Sequence, residues 1–138
     1  MPPASPLRKR GELMTADHDA RILLAEQARL LACIALERRL EVTLEQITET
    51  ITRLAPGLSA AVLLASADGR SIAGSHSTRL PPGFASAVIG TPVGDVRIGT
   101  CGTAIHTGLS VTCADIANDS AWSEEWRAAC VGFGIRAC

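Results

Sequence analysis

The residues best suited to chemistry lie in one run, Gly99-Thr100-Cys101-Gly102-Thr103-Ala104. Its glycines permit close backbone approach. Cys101 stands where a helix should begin, so the free N–H groups there can stabilise a thiolate or an anionic ligand. The simpler reading of the same residue is a small side chain packed between glycines, because cysteine is among the most buried residue types. Asp115 follows at the end of an apolar stretch, suited either to ligand contact or to capping the next turn. Trp122 and Trp126, four residues apart, hold most of the aromatic surface and read as core or lid packing ahead of ligand stacking.

Other chemistries fail on spacing. The segment 94–99 has the glycine spacing of a phosphate loop, but Thr100-Cys101 follows where Lys and a hydroxyl are required. Ser75-His76-Ser77 would alternate across the faces of a strand, and no G-x-S-x-G elbow is present, so a serine triad has no support. The three histidines are scattered, and His106, near a helix end, reads as a surface or half-buried residue; spacing alone assembles no metal site. Five cysteines at 33, 101, 113, 130 and 138, odd in number and without a C-x-x-C pair, fit neither a disulfide framework nor a zinc ribbon. They suit a reducing cytoplasm. A net charge of −1 and 3% aromatic content argue against nucleic-acid binding. The longest apolar run, 30–36, is far too short to insert across a bilayer.

With 138 residues and 14.4 kDa, the elements that position these residues belong to one domain. Residues 1–16 carry three prolines and no apolar period, and read as a disordered lead-in. Their basic residues at 8–10 precede acids at 12, 17 and 19 where a signal peptide needs an apolar core. An N-terminal helix is expected over 17–37, with Leu24, Ala28, Leu31 and Ala35 on its apolar stripe and Leu23, Leu30 and Ile34 widening it. A second helix begins near Leu40, where Leu40, Leu44, Ile47, Ile51 and Leu54 repeat four-three-four-three and Glu41, Glu45, Glu49 and Arg53 take the other side. Pro56-Gly57 ends it. Residues 60–65 read as a buried strand, Asp68-Gly69 as a type I′ hairpin turn and 71–75 as the returning strand. Phe84, Val88 and Ile89 suggest a short helix closed by Gly90, and 94–99 a glycine-punctuated loop. A helical turn or two over 102–107 ends at Gly108, and 110–116 alternates as a strand with Val111, Cys113 and Ile116 inward. Ser123, Glu124 and Glu125 open a last helix running to about Val131, and 135–138 begins a final strand. The class is α+β, a central antiparallel sheet flanked by helices and preceded by an amphipathic helical segment.

Taken in order, Gly99-Thr100-Cys101-Gly102-Thr103-Ala104, then Val111 with Ala114-Asp115-Ile116-Ala117 and Asp119, then Trp122, and the closing Gly134-Ile135-Arg136-Ala137-Cys138 resemble the GAF domains of bacterial signalling proteins. The resemblance covers about 38–138. It implies a central antiparallel sheet with helices behind it and a small-molecule pocket on the other face, usually coupled to a histidine kinase, diguanylate cyclase, phosphodiesterase or transcription-factor module. GAF domains of this kind usually continue beyond the equivalent of Cys138 with further strands. The sheet is therefore expected to lack its last strands, as a fragment would, or to be completed by another chain. No pocket motif of chromophore-binding or cyclic-nucleotide-binding relatives is matched, so ligand and cofactor stay unknown.

The function this implies is a small-molecule-sensing or dimerising regulatory module of a two-component or similar system, not catalytic by itself. Its candidate ligand rim is Cys101, Asp115 and Trp122, and its homodimer seam Leu40, Leu44, Ile47, Ile51 and Leu54. A weaker resemblance, to GAF-type reductases of free methionine-R-sulfoxide, offers an enzymatic alternative in which Cys101 and Cys130 supply the attacking and resolving thiols.

Overall fold

The computed structural model describes residues 6–36, 39–94 and 99–138, with backbone alone over 6–17. Among the described residues it contains five helices and one two-stranded antiparallel sheet, an α+β arrangement.

Helix α1 spans Pro6–Ala35, starting well before the Asp17 expected. Proline is favoured at a first helical position, and the Arg, Lys, Glu, Leu, Met and Ala that follow it are good helix formers, so the missing apolar period does not prevent a helix there. Of the expected lead-in, residues 1–5 lie outside the described residues, as do residues 37 and 38. The expected stripe is also displaced. Leu24 and Leu31 are 64% and 65% exposed; of the expected stripe Leu30 does turn inward, in a row with Glu26 and Cys33. That row keeps helical spacing, but one of its members is a carboxylate, which a search for apolar residues passes over.

Helix α2, Leu40–Leu54, has the bounds its heptad-like pattern predicts. It packs antiparallel to α1 through polar pairs. Arg53 Nη2 lies 2.8 Å from Glu26 Oε2, Arg29 Nη2 donates to Thr50 Oγ1 at 2.8 Å, and Cys33 Sγ is 3.7 Å from Thr43 Oγ1. Hydrogen bonds from Arg29 and then Arg53 hold the Glu26 carboxyl below its usual pKa. The other buried threonines satisfy themselves on their own helix, Thr48 donating to the Glu45 carbonyl and Thr52 to that of Thr48, both at 2.9 Å. Of the leucine-isoleucine seam only Leu44 is buried and Ile47 half-buried; Leu40, Ile51 and Leu54 are exposed.

Strand β1, Val62–Ala65, pairs with β2, Ile72–His76, with Val62 opposite His76 and a bulge after Leu64. The turn between them is not the expected two-residue type I′. Gly69 N–H donates to the Ser66 carbonyl at 2.8 Å, so Ala67 and Asp68 are its central residues and Gly69 follows with φ +68°. Asp68 Oδ1 fixes the loop by accepting from Ser66 Oγ at 2.6 Å and from Arg70 N–H at 3.1 Å. Along the other edge of β2 runs the segment 90–93, with Ile72 N–H donating to the Thr91 carbonyl and Gly90 N–H to that of Ile72. Both α2 and α3, the latter spanning Phe84–Val88, pack on β2, where Ile72 and Val88 are almost fully buried.

Helix α4, Thr100–Thr107, ends at Gly108 in the left-handed conformation, as expected. Helix α5, Glu124–Gly132, is capped by Ser123, whose Oγ accepts from Trp126 N–H at 3.3 Å. Residues 110–116 and 135–138 form no regular strands. They meet in a short antiparallel ladder: Cys113 and Cys138 exchange both backbone hydrogen bonds, and Ile116 N–H donates to the Arg136 carbonyl at 2.9 Å. Residues 95–98, in the expected loop, lie outside the described residues.

Candidate functional site

The start of α4 is built on the two tryptophans. Gly99 adopts φ +102° and ψ −175°, a region open essentially to glycine alone, and its backbone is so close to Trp122 and Trp126 that there is no room for a side chain. This contact turns Thr100 inward, 7% exposed, while Cys101 faces out. Beneath them Cys113, Ile116, Trp122 and Cys130 form a buried cluster, with Trp126 and Ile135 packed against it.

Thr100 stands between sulfurs. Its Oγ1 lies 3.1 Å from Cys138 Sγ and 4.0 Å from Cys101 Sγ. Cys138 is exposed, and its backbone is held opposite Cys113 by the ladder. The negative charge of a Cys138 thiolate contributes to raising the pKa of Cys101, Cys113 and Cys130, so all four thiols of the C-terminal third share one electrostatic neighbourhood. Burial is the larger cause for Cys130, which is pushed up to about 11. Crowding likewise raises Cys101, although part of it stays open to solvent and the Thr100 hydroxyl works the other way. Burial raises Cys113 too, and Asp119 adds to this, its Oδ2 accepting from Cys113 Sγ at 3.3 Å. Among the described residues no group of three or more His, Cys, Asp or Glu is placed to hold a metal ion.

Of the sequence-predicted rim, Trp122 packs against Gly99, two residues before Cys101. Trp122 is 6% exposed and lies in the core, whereas Asp115 is exposed and accepts from Asn118 Nδ2 at 2.7 Å, closing its own turn. The carboxylate that reaches the cluster is Asp119. Its Oδ1 accepts from Ala121 N–H at 2.9 Å, and this bond first, then that from Cys113, lowers its pKa. Sequence reasoning passed over Asp119, Thr100 and Cys138 as site residues. The available signal was the crowding of four of the five cysteines into the last 38 residues.

A separate open cleft of about 450 Å³ lies at the C-terminal end of α2, lined by Thr52, Arg53, Pro56, Gly57, Leu58, Ser59 and Arg79. It includes none of the three predicted rim residues. Among the described residues no helix is long and apolar enough to cross a membrane. No family model, curated protein or solved structure matches the chain.

Proposed function

We propose that the chain is a regulatory, GAF-like module of a bacterial signalling protein that associates with a second copy of itself through α1 and α2 and carries no catalysis of its own. The observation supporting this reading is that the helix pair is built inside out. Its mutual contact joins Glu26, Arg29, Arg53 and threonines to the inward Leu30 and Cys33, while Leu24, Leu31, Ile34, Leu40, Ile51 and Leu54 are left facing solvent. Isolated exposed leucines are ordinary, but a row along two adjacent helices is what an interface requires.

In this reading a ligand bound near the Cys101 and Asp115 side of the domain would have to favour one arrangement of the helix pair over another, since equal affinity for both shifts nothing. The reductase alternative has less support. Its second thiol, Cys130, is buried and protonated up to about pH 11, which makes it a poor attacking or resolving group.

The test is light scattering of the 138-residue chain at micromolar concentration. A dimer is expected, and Ile51→Glu and Leu54→Glu, which place charges on exposed positions, should give monomers with unchanged far-ultraviolet circular dichroism. A wild-type chain that is monomeric over that range and melts cooperatively refutes the proposal.

A further inference from the structure

We infer that Cys138 and Cys101, whose sulfurs flank the Thr100 hydroxyl, are a thiol pair that reacts with low-molecular-weight disulfides of the glutathione type and closes into an intramolecular disulfide. Neither the regulatory reading nor its dimer is needed for this. Three features carry it. The two thiols are the exposed members of the four-cysteine group, while Cys113 and Cys130 are buried at 6%. Both sulfurs lie against one buried side chain, at 3.1 and 4.0 Å from Thr100 Oγ1. The backbone on either side is fixed, Cys138 by its paired hydrogen bonds to Cys113 and Cys101 by the packing of Gly99 on the indoles, which holds the thiols near one another.

Cys138 is the entry point. Its thiolate attacks one sulfur of the small disulfide; the S–S bond of that molecule breaks, one small thiolate leaves and takes up a proton, and a mixed disulfide forms on Cys138. Cys101 then loses its proton to water, and its thiolate attacks the Cys138 sulfur and displaces the second small thiolate. The balance is two protein thiols oxidised to one disulfide and one small disulfide reduced to two thiols. Cys101 takes the second role: its thiol is raised first by burial and further by the neighbouring Cys138 charge, and forming the mixed disulfide removes that charge. Thr100 acts as a positioning residue, holding the Cys138 sulfur beside the α4 start.

The experiment uses the reduced 138-residue chain, glutathione disulfide as the probe, alkylation, trypsin and tandem mass spectrometry. Trypsin releases Cys138 in the dipeptide after Arg136, so the expected product is that dipeptide linked to peptide 98–127, with fragmentation placing the link on Cys101 and not Cys113. Two thiols should disappear per chain, and Cys33, in the α1–α2 seam, should remain free. Cys101→Ser should stop at the mixed disulfide, with one glutathione retained on Cys138, and Cys138→Ser should abolish the link. Thr100→Val should slow closure more than the first attack. Independent glutathionylation of both cysteines without a link, a link from Cys138 to Cys113 or Cys130, or no reaction in a chain that reacts once unfolded, would each overturn the inference.

Discussion

Replacing Gly99 with alanine probes the contact that organises the C-terminal half. Two costs add at this position. The backbone sits at φ +102° and ψ −175°, where a residue with a Cβ pays about 1–3 kcal/mol. That Cβ would also stand 2.5 Å from Trp126 Nε1 and 2.9 Å from Trp122 Cζ3, and relieving such overlap in a packed site costs about 1–3 kcal/mol more. The sum, about 2–6 kcal/mol, is a large share of the roughly 5–15 kcal/mol that stabilises a domain of this size. At about 4 °C per kcal/mol, it should lower the Tm by some 8–24 °C.

The control for this variant is Gly90→Ala. Gly90 has φ +88° and nothing within 4 Å of its Cβ position, so it carries a backbone cost without the clash. Urea unfolding followed by tryptophan fluorescence suits the comparison, because the only two tryptophans of the chain are the ones in contact with Gly99. Gly99→Ala should be destabilised beyond Gly90→Ala and should also show altered emission while still folded. Equal stability of the two variants, with unchanged emission, refutes the packing of α4 on the indoles.

Two titrations follow from the cluster. The folded state holds the Cys130 proton more tightly than the unfolded chain, so the associated stability is complete below pH 9.0 and lost as pH rises toward about 11. The loss is about 1.4 kcal/mol for each pH unit in that window. Denaturant melts should show at least that slope, to which the raised Cys101 and Cys113 thiols add, and Cys130→Ala should reduce it; tyrosine, which titrates in the same range, is absent from the chain. Asp119 has the opposite sign: its carboxyl is depressed below 3.8, so its contribution is present above that value and lost as pH falls below it. Asp119→Asn should therefore be less stable than the parent at neutral pH, the gap closing in acid; a gap that persists unchanged to the lowest pH at which the chain folds rules out the charge as its cause.

Helices were legible where the signal is local. The bounds of α2, the Ser123 cap of α5 and the Gly108 stop of α4 depend on residues within one or two turns, and these were read correctly. The inward face of α1 was not, because it is chosen by Glu26 meeting Arg53 on another helix, information that no apolar period contains. The strand expected at 110–116 alternates in sequence, yet its pairing is limited to a few bonds with 136–138, and a pattern cannot report how much partner it will find. The hairpin turn was misread because Asp-Gly serves both a two-residue turn and a turn followed by a left-handed glycine; the Ser66 and Asp68 side chains settle it for the second. For the candidate site, Cys101 was visible from its glycines, but that Thr100 and Cys138 share its surroundings depends on a contact across 38 residues.

The helix pair and the thiol pair lie in different parts of the molecule, and the contacts between them define what coupling would require. Helix α2 rests on β2; β2 is hydrogen-bonded along its other edge to 90–93; and α3, also on β2, meets the end of α5 through Phe84 and Phe133, edge to face at 5.8 Å. Closing a disulfide at Cys138 pulls on the ladder that follows α5 and on the first turn of α4, so β2 is the element through which strain could reach α2. Contact alone does not make a signal. Coupling needs an arrangement of β2 that oxidation and dimerisation favour to different degrees, and linkage then fixes a reciprocal relation: the factor by which oxidation changes the dimer dissociation constant must equal the factor by which dimerisation changes the thiol–disulfide equilibrium with glutathione. Measuring both ratios decides between a redox-responsive assembly and two independent properties of one chain. A dissociation constant that is the same for the oxidised and reduced protein makes the thiol pair a modification site without influence on the helices.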